Sequence, residues 1–174
     1  SETGGWQMDT PAGHPPHPES ASVTPMLRTV LIADLVESTQ FVERLGDGAS
    51  AALLQRLDLQ IRDLLVFTNG RLIDKADGLL ALFELPVQAV DFALRYQHAL
   101  SDLSAEAGME LKARIGIHVG DVMTWINTPQ AVAAGAKPLE VEGLAKPVAA
   151  RLMSLAMPGQ ILMSGMAQTL AHRA

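Results

Sequence analysis

Cysteine is absent from this sequence, which excludes disulfide frameworks, thiolate metal sites and cysteine nucleophiles. A cluster of lysine and arginine is also absent, and with a formal net charge of -6 we expect no binding to nucleic acid. No apolar stretch approaches the roughly 18 to 20 residues of a membrane span, and the N-terminus lacks the basic-then-apolar layout of a secretory signal. We therefore expect a cytoplasmic chain with no direct membrane insertion, in which any metal ion has oxygen or imidazole ligands.

The composition changes near residue 26. Residues 1–25 are rich in proline and glycine and have almost no apolar periodicity, so they are predicted to be a flexible linker or an expression remnant. Hydrophobic residues make up 48% of the chain and charged residues 18%, which is typical of a folded protein. Because one domain takes roughly 100 to 200 residues, we assign 26–174 to a single folded domain.

The predicted elements indicate one sheet with helices packed on it. The aliphatic run "LRTVLIAD" is typical of a buried strand, and the helical spacing that follows ends at Asn69-Gly70. The segments "GRLID" and "LLALFE" flank Asp77-Gly78, a signal for a hairpin. The order β-α-α-β-β-α-β-α-β-α favours an α+β, ferredoxin-like (split β-α-β) fold, in which helices cover one face of a mostly antiparallel sheet.

Two aspartates stand where strands are predicted to end or turn. Asp34 follows the first buried strand, and Asp77 lies at the hairpin tip. An aspartate at a turn commonly bonds its own backbone, so Asp77 alone indicates little. If the two strands are neighbours, however, both carboxylates emerge at one edge and can bind magnesium together with substrate phosphates.

Four segments, in their order and spacing, resemble the catalytic domain of class III adenylate and guanylate cyclases: VLIADLVEST, GRLIDKADGLLALF, RIGIHVGDV and PVAARLMSLAMPGQILMS. The resemblance covers about residues 28 to 170. It implies the nucleotide cyclase type of the fold and conversion of a purine nucleoside triphosphate to the 3',5'-cyclic monophosphate and pyrophosphate. It also implies two divalent metal ions (Mg²⁺ or Mn²⁺), a homodimer, and membership in a larger signalling protein. The domain is expected to lack the family's final hairpin.

The resemblance also implies roles for individual residues. Asp34 and Asp77 match the two metal-binding aspartates, and Leu35 matches the residue whose backbone carbonyl touches a metal. Arg151 matches the arginine that stabilises charge on the transferring phosphate, supplied to the site from the other chain of the dimer. The stretch from Asp34 through Thr39 matches the phosphate-binding turn, in which Glu37, Ser38 and Thr39 are the predicted phosphate-binding residues.

Base recognition has two open registers, because one residue is missing between Gly70 and Asp77 relative to the family. The first base-reading position is Asp74 in one register and Ile73 in the other, and the second is Glu140. Asp74 would accept hydrogen bonds from guanine, which slightly favours GTP over ATP. Lys75 could serve adenine instead.

One departure keeps a second function open. The family usually has an asparagine four residues before its arginine, where this sequence has Pro147. The chain is therefore expected to be an active cyclase or, as the alternative, a catalytically silent cyclase-like domain that binds nucleotide or mediates dimerisation.

Overall fold

The computed structural model describes residues 24–36, 38–75 and 78–172. The elements follow the chain in this order: β1 (Met26–Leu35), α1 (Ser38–Leu45), α2 (Asp47–Phe67), β2 (Arg71–Asp74), β3 (Leu79–Phe83), α3 (Pro86–Ala107), β4 (Ala113–Ile126), α4 (Pro129–Ala133), β5 (Leu139–Glu142), α5 (Ala145–Leu155), β6 (Ile161–Met163) and α6 (Gly165–His172). Within these residues, no helix is both long enough and apolar enough to cross a bilayer.

The strands form one sheet in the order β2-β3-β1-β4-β5, with β6 added beside β4. All pairings are antiparallel except the one between β4 and β6. The central strand β1 is buried on both faces, with Val30 and Leu31 fully inaccessible, because helices cover the sheet on both sides. The expected α+β, mostly antiparallel sheet is therefore confirmed.

The main core lies between one face of the sheet and helices α1, α2, α3 and α6. Helix α3 begins at Pro86, as the sequence predicts, since proline has no backbone N–H to leave unpaired at a first helical turn. It ends before Gly108, which adopts a left-handed φ of 69°. On this helix Phe92 is fully buried and contacts the ring of Phe83 with a centroid distance of 5.8 Å.

A second core occupies the opposite face, so the expectation that helices cover only one face is wrong. Helix α5 packs there through Ala145 and Ala149, against strand residues that include Val30 and Val141. The approach is close because Gly116 of β4 has no side chain. A Cβ at that position would lie 2.3 Å from the carbonyl oxygen of Ala149.

Between β4 and α5 the chain contains two short elements that the predicted order of elements lacks. Helix α4 begins after Thr128, whose side chain accepts a hydrogen bond from the backbone N–H of Ala131 at 3.1 Å. Strand β5 pairs with the end of β4, and its Val141 is buried in the second core. These elements are too short to show helical or strand periodicity in the sequence.

Candidate active site

Asp34 lies at the end of the central strand, where β1 leaves the core. Ala33 is buried, whereas 40% of the Asp34 side chain is exposed. Arg114, directly opposite on β4, donates a hydrogen bond from Nη2 to Asp34 Oδ2 at 3.1 Å. The chain beyond the strand is held as well, because the backbone N–H of Val36 donates to the carbonyl of Lys112 at 2.8 Å. The carboxylate is thus oriented at an open edge of the sheet.

The β2–β3 hairpin reaches the same edge. Strand β3 is the neighbour of β1, and Leu79 pairs with Ala33. Gly78 has a positive φ of 102°, and a Cβ there would lie 2.7 Å from the Ala33 carbonyl oxygen. Only glycine fits this approach without strain. The strand neighbourhood on which the paired-carboxylate prediction depends is therefore present.

Four predicted site residues are placed only in part or not at all. Asp77 and Glu37 lie outside the described residues. Ser38 and Thr39 begin α1, and their side chains also lie outside the description. The proximity of Asp77 to Asp34 stays a prediction.

Tyr96 is a neighbour of Asp34 that the sequence did not indicate. It lies on α3, is almost fully buried, and stacks on Phe92 with a centroid distance of 5.7 Å. Burial raises the pKa of its hydroxyl, and the negative charge of Asp34 raises that pKa further. Tyr96 is therefore neutral at physiological pH and adds no charge beside the carboxylate.

The predicted base-reading residues Asp74 and Glu140 come together with a lysine that sequence reasoning missed. Lys137 Nζ lies 2.9 Å from Asp74 Oδ2. Asn127 Nδ2 donates to the carbonyl oxygen of Lys137 at 2.7 Å and to Glu140 Oε1 at 3.3 Å. The hydrogen bond to Asp74 raises the pKa of Lys137, and the charge of Glu140 adds to this effect. No local signal marks Lys137, because its partners come from β2 and β5.

The two alternatives to Asp74 point elsewhere. Ile73 is 9% exposed and packs in the second core, so its side chain cannot meet a nucleotide on the surface. Lys75 Nζ contacts Asp58 Oδ1 on α2, away from the cluster around Lys137. The register that assigns base reading to Asp74 is the one that agrees with this packing.

Arg151 lies on the exposed side of α5. Its backbone carbonyl accepts a hydrogen bond from the Ser154 hydroxyl at 2.7 Å, and among the described residues its guanidinium makes no ion pair. Exposed apolar side chains flank it on the same helix, with Val148 39% and Leu155 58% accessible. In the part of the chain that the structure describes, Arg151 and Asp34 share no hydrogen bond or ion pair, since Asp34 pairs with Arg114.

Oxygen ligands suit the metal ions that the resemblance implies. Within the described residues there is no group of three or more histidine, cysteine or acidic side chains that could hold a metal. A magnesium site needs only one or two protein carboxylates when substrate phosphates complete its shell. The half-exposed carboxylate of Asp34 at the hairpin edge fits that requirement.

Comparison with known proteins gives structural neighbours only. No protein-family model matches the chain, and no curated protein sequence matches it either. Among solved structures, the adenylyl cyclase CyaB from P. aeruginosa superposes with a TM-score of 0.77 at 19% identity, covering 87% of this chain and 83% of that one. The guanylyl cyclase Cya2 gives 0.71 at 23% identity, covering 85% and 79%.

A third structure is the guanylate cyclase domain of RhGC from Catenaria anguillulae in complex with GTP. It gives a TM-score of 0.71 at 19% identity and covers 83% of this chain and 81% of that one. All three are adenylyl or guanylyl cyclase structures, and their similarity to this chain extends over most of its length. The chain therefore has the fold of the class III adenylyl and guanylyl cyclase catalytic domains.

Proposed function

We propose that this chain is a purine nucleotide cyclase that converts GTP or ATP to the 3',5'-cyclic monophosphate and pyrophosphate. The observation that carries the proposal is the position of Asp34. Its carboxylate leaves the core at the end of the central strand, beside the hairpin in which Asp77 directly precedes Gly78. This arrangement occurs in a fold whose neighbours are adenylyl and guanylyl cyclases.

In this proposal, Asp34, Asp77 and the backbone carbonyl of Leu35 hold the metals. When bound, two divalent cations, Mg²⁺ or Mn²⁺, would supply positive charge for activation of the ribose 3'-hydroxyl and for neutralisation of the departing pyrophosphate. Arg114 orients the Asp34 carboxylate through its hydrogen bond. The side chain of Asp34 is thus held in place before substrate arrives.

The triphosphate is bound by the start of α1 and by a second chain. Backbone N–H groups at a helix N-terminus attract phosphate oxygens, and α1 begins at Ser38 and Thr39, which Glu37 precedes in the sequence. Arg151 of the other protomer would stabilise charge on the reacting phosphate. The exposed Val148 and Leu155 beside Arg151 would pack in the homodimer interface.

For base recognition, we propose Asp74 and Glu140, which slightly favours GTP over ATP. Both carboxylates can accept hydrogen bonds from guanine N1–H and its amino group. Lys75 is left out of this set because it contacts Asp58. We place the domain in the cytoplasm as part of a larger signalling protein.

The test is formation of cyclic GMP or cyclic AMP by the purified protein with Mn²⁺. Asp77→Ala and Arg151→Ala should each abolish product formation. Mixing the two variant chains should restore activity, because a heterodimer then contains one site with every residue intact. Asp63→Ala, at an exposed position on α2, is the matched control and should remain active.

Confirmed heterodimers without restored activity would contradict the shared site.

A catalytically silent domain is the second candidate, and Pro147 favours it because proline has no side-chain amide to orient a ribose. Nucleotide binding without cyclic product would support that candidate and refute the enzyme.

A further inference from the structure

Three charged side chains from separate segments form a cluster that we call the charged triplet: Asp74, Lys137 and Glu140. Asp74 ends β2, Glu140 lies on β5, and Lys137 precedes β5. The Lys137 ammonium lies 2.9 Å from the Asp74 carboxylate. The side-chain amide of Asn127 connects Lys137 to Glu140. It donates to the backbone carbonyl of Lys137 at 2.7 Å and to Glu140 Oε1 at 3.3 Å.

The triplet is accessible to a ligand. The Lys137 side chain is 36% exposed and that of Asp74 is 24% exposed, so both can exchange partners without unfolding. An ion pair this accessible contributes little to stability. The second core beneath it, which includes Ile73 and Val141, already joins β2 to β5. Holding the two strands together therefore does not require the triplet.

The hydrogen-bonding capacity of the triplet differs between the two purines. Two carboxylates offer acceptors only, and one ammonium offers donors only. Guanine presents O6 as an acceptor, with N1–H and the 2-amino group as donors, so every group of the triplet finds a partner. In the same pose, adenine places its 6-amino group, a donor, opposite the ammonium and its N1, an acceptor, opposite one carboxylate. The other carboxylate meets C2–H, so no group of the triplet finds a partner.

We propose that Lys137 is a specificity-determining residue that donates to guanine O6, while Asp74 and Glu140 accept from guanine N1–H and the 2-amino group. Lys137 has this role only if the chain binds a purine nucleotide as proposed above. Leaving a desolvated carboxylate unpaired is unfavourable, so the site discriminates against adenine. The ion pair with Asp74 keeps Lys137 in place while the site is empty.

The experiment compares GTP, inosine triphosphate and ATP on the full chain with Mn²⁺. Cyclic product gives kcat/KM, and displacement of a fluorescent N-methylanthraniloyl GTP gives the dissociation constants. Inosine triphosphate keeps O6 and N1–H and lacks the 2-amino group. In the native protein we expect kcat/KM and affinity to be highest for GTP, lower for inosine triphosphate and lowest for ATP.

Lys137→Met should lower kcat/KM and weaken binding for GTP and inosine triphosphate by the same factor, about tenfold or more. The values for ATP should stay within about twofold of those of the native protein. Lys137→Arg keeps a charged donor and should restore most of the preference. Lys75→Met is the matched control, because it also replaces a lysine by methionine and Lys75 is next to Asp74 in the sequence. Its GTP to ATP preference in kcat/KM should equal that of the native protein.

A GTP to ATP preference in Lys137→Met equal to that of the native protein would overturn the role of Lys137. So would a preference that changes in Lys75→Met and not in Lys137→Met. Equally weakened binding of all three nucleotides in Lys137→Met would also overturn it. Absence of cyclic product in the native protein would instead refute the proposed enzyme. In that case the ratio of the dissociation constants for GTP and ATP still decides the role of Lys137. Absence of any nucleotide binding would refute both the role of Lys137 and the proposed function.

Discussion

Replacement of Gly116 by alanine should both destabilise the protein and slow the proposed reaction. A Cβ at this position would lie 2.3 Å from the Ala149 carbonyl oxygen, 2.4 Å from the Met153 backbone nitrogen and 3.0 Å from the Leu152 Cβ. Two of these three atoms are backbone, so no side-chain rotation relieves the contact. Helix α5 itself must move.

The size of the effect follows from these distances. An ordinary contact at a Cβ begins near 3.4 Å, so α5 must withdraw from β4 by about 1 Å. Overpacking of this kind costs about 1 to 3 kcal/mol of the free energy of unfolding. Because α5 carries Arg151, the same movement displaces the guanidinium, and a displacement of about 1 Å can slow a reaction about a hundredfold.

Urea denaturation monitored by circular dichroism measures the loss of stability. The cyclase rate, measured without urea at a temperature well below unfolding, measures the effect on the reaction. Gly48→Ala is the matched control, because Gly48 lies in α2 with nothing within 4 Å of a Cβ. Alanine there should be neutral or stabilising by up to about 1 kcal/mol. A Gly116→Ala protein that unfolds at the native urea midpoint would refute this account of how α5 packs.

Two further predictions concern the main core. Phe92→Ala should lower the free energy of unfolding by about 3 to 5 kcal/mol, since Phe92 is fully buried between Phe83 and Tyr96; a loss below about 1 kcal/mol in urea denaturation would contradict that packing. Burial, and then the charge of Asp34, raise the pKa of Tyr96 above the ordinary value of 10.0, so the native state binds this proton more tightly than the unfolded state. Stability should therefore be unaffected by Tyr96 below about pH 10 and fall as the pH rises further. Urea midpoints measured from pH 8 to 11.5 should show that fall in the native protein and less of it in Tyr96→Phe, and equal slopes would count against it.

The parts of the fold predicted from sequence depend on local signals. The aliphatic run of β1 indicates a buried strand because β-branched residues pack well on a pleated surface. Pro86 marks the start of α3 because proline suits a first helical turn. The Asp77-Gly78 pair predicts the hairpin between β2 and β3 because glycine adopts positive φ without strain.

The candidate site divides in the same way. Asp34, Arg151 and the residues near the hairpin were predicted from sequence, because they stand in four ordered motifs that resemble those of the cyclases. Arg114 was not identified, since its contact with Asp34 joins residues 80 positions apart and depends on the register of β1 against β4. Lys137 was not identified for a similar reason, because Asp74 and Glu140 come from different strands.

The sequence by itself determined which segments form β1, the hairpin and α3, and it supports the prediction that Asp34 binds a cation. Periodicity and turn chemistry act over a few residues, so they suffice for such features. Only the tertiary structure decided that α5 covers the second face of the sheet and that Lys137 meets Asp74. Those outcomes depend on the absence of a side chain at Gly116 and on contacts between distant strands, which no local pattern records.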